Sequence, residues 1–121
     1  MSAPSQSGGA TITDRRQLIE YFENACKPPS RWRLGTEHEK FAFRLDDHSP
    51  LAYASRPGIR DVLDALTRFG WQPVRENGNI IALFNANNAT VSLEPGGQVE
   101  LSGAPVETIH QTCAEVNQHL Q

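Results

Sequence analysis

Apolar positions change their period several times along this chain. Within TDRRQLIEYFENAC, residues 13–26, Leu18, Ile19, Phe22 and Ala25 recur at helical spacing. Thr13 or Asp14 can cap that helix, and Lys27-Pro28-Pro29 ends it, because a residue before proline is pushed out of the helical region. WRLGTEHEKFAFRL then alternates, which predicts one long strand over about residues 31–45, followed by the turn cluster Asp46-Asp47-His48-Ser49-Pro50. A second helix is predicted to begin near Pro57, with Ile59, Val62, Leu63, Leu66 and Phe69 as its apolar stripe and Gly70 as its stop. From Trp71 onward short strands are predicted at residues 71–76, 80–84, 90–94 and 98–102. Asn77-Gly78 between the first two is a hairpin signal, since both residues tolerate positive φ. After Pro105, VETIHQTCAEVNQHLQ predicts a last helix with Ile109, Thr112, Cys113, Val116 and Leu120 as a partly apolar stripe. This order predicts an α+β domain: an antiparallel sheet with helices on one face.

Acidic residues interrupt two of these strands. In the first, Gly35, Glu37, Glu39, Phe41, Phe43 and Leu45 fall on one face, and Thr36, His38, Lys40 and Arg44 on the other. The glutamates thus share a face with large apolar groups that read as core. In TVSLEPGGQVELSG, Pro95-Gly96-Gly97 suits a three-residue hairpin loop, with proline at the first turn position and glycine supplying a left-handed one. That loop sets Glu94 opposite Gln98 and Ser92 opposite Glu100. Those four residues take one face, while Val91, Leu93, Val99 and Leu101 take the other and are free to pack on helices.

Carboxylates beside a core cost desolvation and mutual repulsion unless a cation lies between them. If the two faces converge, Glu37, Glu39, Glu94 and Glu100 line one concave surface. Oxygen-only ligands of this kind suit a hard divalent cation, Mg²⁺ or Mn²⁺, and Mg²⁺ held this way commonly also binds nucleotide phosphates. Four solvated strand glutamates are the competing reading.

Composition narrows the classes. The chain has 121 residues, 38% hydrophobic and 21% charged, enough for one domain with a modest core. Its formal net charge of −3, with no basic stripe, argues against a nucleic acid or an anionic membrane as partner. No apolar run approaches the roughly 20 residues needed to cross a bilayer. Residues 1–12, rich in Ser, Gly, Pro and Gln, predict a disordered tail without the features of a signal or transit peptide, so the cytoplasm is the expected location. Asn88-Ala89-Thr90 then matches a glycosylation sequon by chance. Cys26 and Cys113 have no metal or redox spacing and read as reduced, partly buried thiols, Cys113 as core.

GTEHEKFAFRL, residues 35–45, and SLEPGGQVELSGAPVETIHQTCAEVNQHL, residues 92–120, resemble the glutamate–cysteine ligase family of plant and proteobacterial type. The intervening RENGNII, residues 75–81, resembles it too. The likeness runs from about Asp14 onward, and LEPGGQVELSGAP is its most specific part. It implies a fold related to glutamine synthetase, in which an antiparallel sheet forms a catalytic funnel. It implies ATP-dependent phosphorylation of the γ-carboxylate of glutamate, then attack by the amine of cysteine, the first step of glutathione synthesis. On that resemblance Glu37 and Glu39 match one pair of metal ligands and Glu94 and Glu100 the second, while Gln98 joins the substrate- or ATP-binding surface. Clustered cations neutralise the triphosphate, and no protein nucleophile is needed. Family members are several times longer, so residues 13–121 are expected to be the amino-terminal part of a ligase domain, a partial funnel. The missing carboxy-terminal part is then a partner, and the isolated chain is expected to be inactive.

The other polar and aromatic residues have plainer readings. Alternation points His38 away from the glutamates, and Lys40 and Arg44 beside it read as ion-paired or solvated. Arg31 and Arg33 are structural, with a substrate role as the alternative. Trp32 and Trp71 read as packing residues rather than stacking platforms. Two rivals to the ligase reading stand: another carboxylate–amine ligase with a different amine acceptor, and a non-catalytic fragment or interaction module that keeps the fold.

Overall fold

A computed structural model describes residues 9–121, so the tail expected over residues 1–12 lies largely outside the described residues. Three helices, α1 (Arg15–Ala25), α2 (Ile59–Leu66) and α3 (Ile109–His119), accompany five strands. The strands are β1 (Glu37–Lys40), β2 (Gln72–Glu76), β3 (Asn79–Phe84), β4 (Thr90–Glu94) and β5 (Gln98–Ser102). They form one antiparallel sheet in the order β1-β5-β4-β3-β2. The fold is therefore α+β with a meander from β2 to β5, and β1 is laid against the far side of β5.

Local chemistry explains most of the boundaries. Asp14 caps α1, accepting from the Arg16 amide at 2.7 Å, while the Gln17 side chain accepts from the Asp14 amide at 3.1 Å. Thr108 and Gln111 form the same box at the start of α3. Gly58 precedes α2 because nothing larger fits: an added Cβ would lie 2.3 Å from the Ser55 carbonyl oxygen. Its amide donates to Asp61 at 2.9 Å, so the helix starts at Ile59 and Pro57, behind a cis bond, stands outside the first turn expected for it. Asn77 and Gly78 take φ of 49° and 81°, the positive values of a two-residue hairpin between β2 and β3.

The long strand expected over residues 31–45 is interrupted. Only residues 37–40 pair regularly with β5; Leu34 and Phe43 make isolated bridges with Val106 and Pro50. Pairing stops after Lys40↔Val99 because the partner chain turns away at Pro95–Gly97. In the other direction the Gly103 amide still donates to the Thr36 carbonyl at 2.7 Å, Pro105 has no amide to donate, and a bridge follows at Leu34↔Val106. The last helix begins correspondingly late.

The core lies on one side of the sheet. Ile59 and Leu63 of α2 are buried with Ile80, Leu83, Val91, Val99 and Leu101 of the strands. A register shift opposite Val74 and Arg75 marks a bulge in β3, and Ile80 beyond it belongs to this core. The face of β1 expected to reach the core does not. Phe41, Phe43 and Leu45 are 67%, 52% and 88% exposed, while Thr36, His38, Lys40 and Ala42 on the opposite face are half-buried. Helices cover the second face, so the glutamates of β1 lie opposite the core. Within α2 the stripe is buried only at Ile59 and Leu63, and Phe69 is exposed. Helix α1 buries none of its residues, and Cys26 and Cys113 are free and exposed, so Cys113 is not core.

Candidate carboxylate face and its neighbouring cleft

The hairpin from β4 to β5 turns through Gly96 and Gly97, both at positive φ, 81° and 80°. Its register pairs Glu94 with Gln98 and Ser92 with Glu100. Strand β1 then adds Glu39 opposite Glu100 and Glu37 opposite Ser102. Directly paired residues of an antiparallel ladder point to the same side. Glu37, Glu39, Glu94, Glu100 and Gln98 therefore share one face with Ser92 and Ser102, opposite the helices. Two expectations hold here: the hairpin is two-faced, and the acidic faces of β1 and of the hairpin are one surface.

The environment of each carboxylate differs. Glu100 is only 3% exposed and Ser92 beside it 5%. The Ser102 hydroxyl donates to Glu100 Oε1 at 2.6 Å. Glu94 Oε1 is buried with no hydrogen-bond partner, as is Ser92 Oγ. Glu39 stands directly across from Glu100, and like charges so placed repel. Gln98 donates weakly to the Pro95 carbonyl at 3.4 Å. Among the described residues no group of three or more His, Cys, Asp or Glu side chains is gathered closely enough to hold one metal ion. The strands thus collect the four glutamates on one face without closing them around a point. The oxygen donors present, one of them orphaned and one pair mutually repelling, fit a hard cation in chemistry.

A cleft of about 540 Å³ opens at the amino-terminal end of β1, lined by Lys27, Arg31, Trp32, Arg33, Glu37 and Ser102 among others. Arg33 is engaged, with an ion pair to Glu107 at 3.0 Å. Trp32 is 66% exposed, not a packing residue, because the segment that carries it leaves the sheet in a 3-10 turn, Pro29–Arg31. Trp71 does pack against the core. Lys27 carried no distinguishing signal in the sequence beyond its place in the basic stretch KPPSRWR.

Behind β1 lies a polar layer that the sequence did not reveal. Glu115 of α3 accepts from the Ala104 amide at 2.7 Å and presses on Gly103, where an added Cβ would meet Glu115 Oε2 at 2.1 Å. His38 Nε2, Lys40 Nζ, Thr112 Oγ1 and Glu115 Oε2 are buried without partners. Lys40 is neither ion-paired nor solvated, as expected of it; burial lowers its pKa. The pKa of His119 is also lowered, first by burial and then by the positive charges of Lys40 and His38, against the opposing pull of Glu115.

Comparison with known proteins supplies the family. A family model described as glutamate–cysteine ligase family 2 matches residues 33–121. The chain is 51% identical over 107 residues to "Glutamate–cysteine ligase A, chloroplastic" of Oryza sativa subsp. japonica, covering 88% of this chain and 21% of that protein. It is 50% identical over the same length to the chloroplastic glutamate–cysteine ligase of Medicago truncatula and 49% to that of Arabidopsis thaliana, covering 20% of each. The chain thus spans about a fifth of the length of the curated relatives it matches. With the family model covering most of the chain and the matched residues including both acidic strands, the chain belongs to glutamate–cysteine ligase family 2.

Proposed function

We propose that this chain provides the metal- and phosphate-facing strands of an ATP-dependent ligase that joins the γ-carboxylate of glutamate to the amine of cysteine, the first step of glutathione biosynthesis. The observation that carries it is the shared face on which Glu39 stands opposite Glu100, with Glu37 and Glu94 in neighbouring registers. The names of the relatives support cysteine as the amine acceptor over other amines. In this reading Glu37, Glu39, Glu94 and Glu100 hold Mg²⁺ or Mn²⁺, which when bound supplies charge neutralisation for phosphoryl transfer. Ser102 orients Glu100 through its hydroxyl, and Gln98 lies on the same surface for substrate or nucleotide. The rest of the chemistry is positioning, which brings phosphate, γ-carboxylate and amine into line. The remainder of the ligase, as a further stretch of chain or a separate partner, completes the substrate pocket.

Calorimetric titration with Mn²⁺ tests the site. Binding that weakens in Glu39→Gln and in Glu100→Gln supports the reading; binding indifferent to both removes it. Phosphate release that requires ATP, glutamate and cysteine together, assayed with the chain alone and in its full-length context, separates a ligase from an inactive module.

A further inference from the structure

We infer that Glu115 of α3 is a positioning residue for the carboxylate face: through the Gly103–Ala104 turn it fixes the end of the ladder where Glu37 stands opposite Ser102. This rests on the metal-holding reading above and goes beyond it by naming a residue, on the helix side of the sheet, on which that face depends.

The edge strand needs such a hold. β1 is the outermost strand and pairs with β5 over only four residues. Beyond Glu37↔Ser102 the Gly103 amide makes one further bond to the Thr36 carbonyl, at 2.7 Å. The next amide, of half-buried Ala104, donates not to a strand but to Glu115 Oε1, also at 2.7 Å. Without that acceptor the donor would be left unsatisfied.

Gly103 is the second observation. Its φ lies outside the positive range taken by Gly70, Gly78, Gly96 and Gly97, so backbone conformation does not call for glycine there. Space does. A Cβ on Gly103 would fall on Glu115 Oε2 and lie 3.1 Å from Thr36 Oγ1. Glu115 Oε2 is buried and makes no hydrogen bond, so the Ala104 amide is what holds the carboxylate. Residues 103 and 115 thus fit as a pair: the glycine leaves room for the carboxylate, and the carboxylate anchors the turn. One residue back, the Ser102 hydroxyl donates to Glu100 Oε1 at 2.6 Å, and Glu100 stands opposite Glu39. A shift of the turn therefore moves both the donor to Glu100 and the ladder position of Glu37, whereas oxygen ligands must be held to within about 0.5 Å.

Calorimetric titration with Mn²⁺ and amide hydrogen exchange, each on the folded chain, are the test. Glu115→Ala is expected to weaken Mn²⁺ binding about tenfold. Glu115→Gln, whose amide oxygen can still accept from Ala104, should restore most of it; equal losses in both variants would mean that Glu115 acts through its charge alone, and overturn the inference. Gly103→Ala should match Glu115→Ala, and the double variant should be no worse than either, because both remove one contact. Asp14→Ala, a cap loss on α1, should leave Mn²⁺ affinity unchanged; a loss there equal to that of Glu115→Ala would make the effect one of stability and overturn the assignment. Mn²⁺ binding that responds to Glu39→Gln and Glu100→Gln but not to Glu115→Ala overturns it as well. If Mn²⁺ binding is indifferent to those two carboxylate variants, the metal reading falls by itself. Faster exchange of the Gly103 amide in Glu115→Ala then still supports the tether, and unchanged exchange overturns it.

Discussion

At the scale of single residues, charge placement decides behaviour. Glu39 and Glu100 oppose each other on neighbouring strands. Without a cation, Glu39→Gln relieves that repulsion and is expected to stabilise the fold by up to about 1 kcal/mol. The rise in melting temperature on adding Mg²⁺ should shrink in the same variant, since ligand binding to the folded state alone is what raises it. Thermal melts with and without Mg²⁺ read both effects, and an unchanged Mg²⁺ response removes Glu39 from the site. His119 contributes a pH dependence near neutrality. Its folded pKa lies below 6.5, so the unfolded chain binds the proton more readily. Its contribution is therefore least unfavourable above that value, and stability falls as pH drops through it. Denaturation between about pH 7.5 and pH 5 should show that fall, and His119→Gln should flatten it. Lys40→Met removes a positive charge that holds His119 down, so its imidazole, followed by NMR titration, should move to a higher pKa.

At the scale of elements, turns and caps were legible because each depends on a few adjacent residues. Asn77-Gly78, Pro95-Gly96-Gly97, Gly70 and the Asp14 cap all stand where local chemistry puts them. The strand expected over residues 31–45 was not, because a strand's length depends on a partner far off in sequence. Its partner β5 turns away at one end and meets Pro105 beyond the other. Gly58 is the tightest element boundary, with three carbonyl oxygens within 2.9 Å of where a Cβ would sit. Gly58→Ala must displace backbone there, and a loss of about 1–3 kcal/mol in urea denaturation is expected. Asp14→Ala, an ordinary cap loss on an exposed helix, should cost nearer 1 kcal/mol.

At the scale of the whole molecule, the chain has one well-buried face and one open face. Leu63 is fully buried between α2 and the sheet, so Leu63→Ala should cost about 2–5 kcal/mol. Phe43→Ser, on the open face, should cost within about 0.5 kcal/mol in the same urea titration. A large loss at Phe43 would show that the open face is packed in solution. Phe41, Phe43 and Leu45 follow β1, the strand that carries Glu37 and Glu39, and are exposed.

The sequence by itself determined the periods, the turns and the two-faced hairpin, and with them which residues share a side with Glu94 and Glu100. Alternation defines two faces of a strand whatever surrounds it. Only the tertiary structure decided which face is covered. Phe41, Phe43 and Leu45 looked like core because large apolar residues usually are, yet α2 packs against the opposite side. Only pairing between segments distant in the chain could set Glu39 against Glu100 and bury Lys40 near α3. Local preference carries no information about such contacts, because they are made by whichever elements the core draws together.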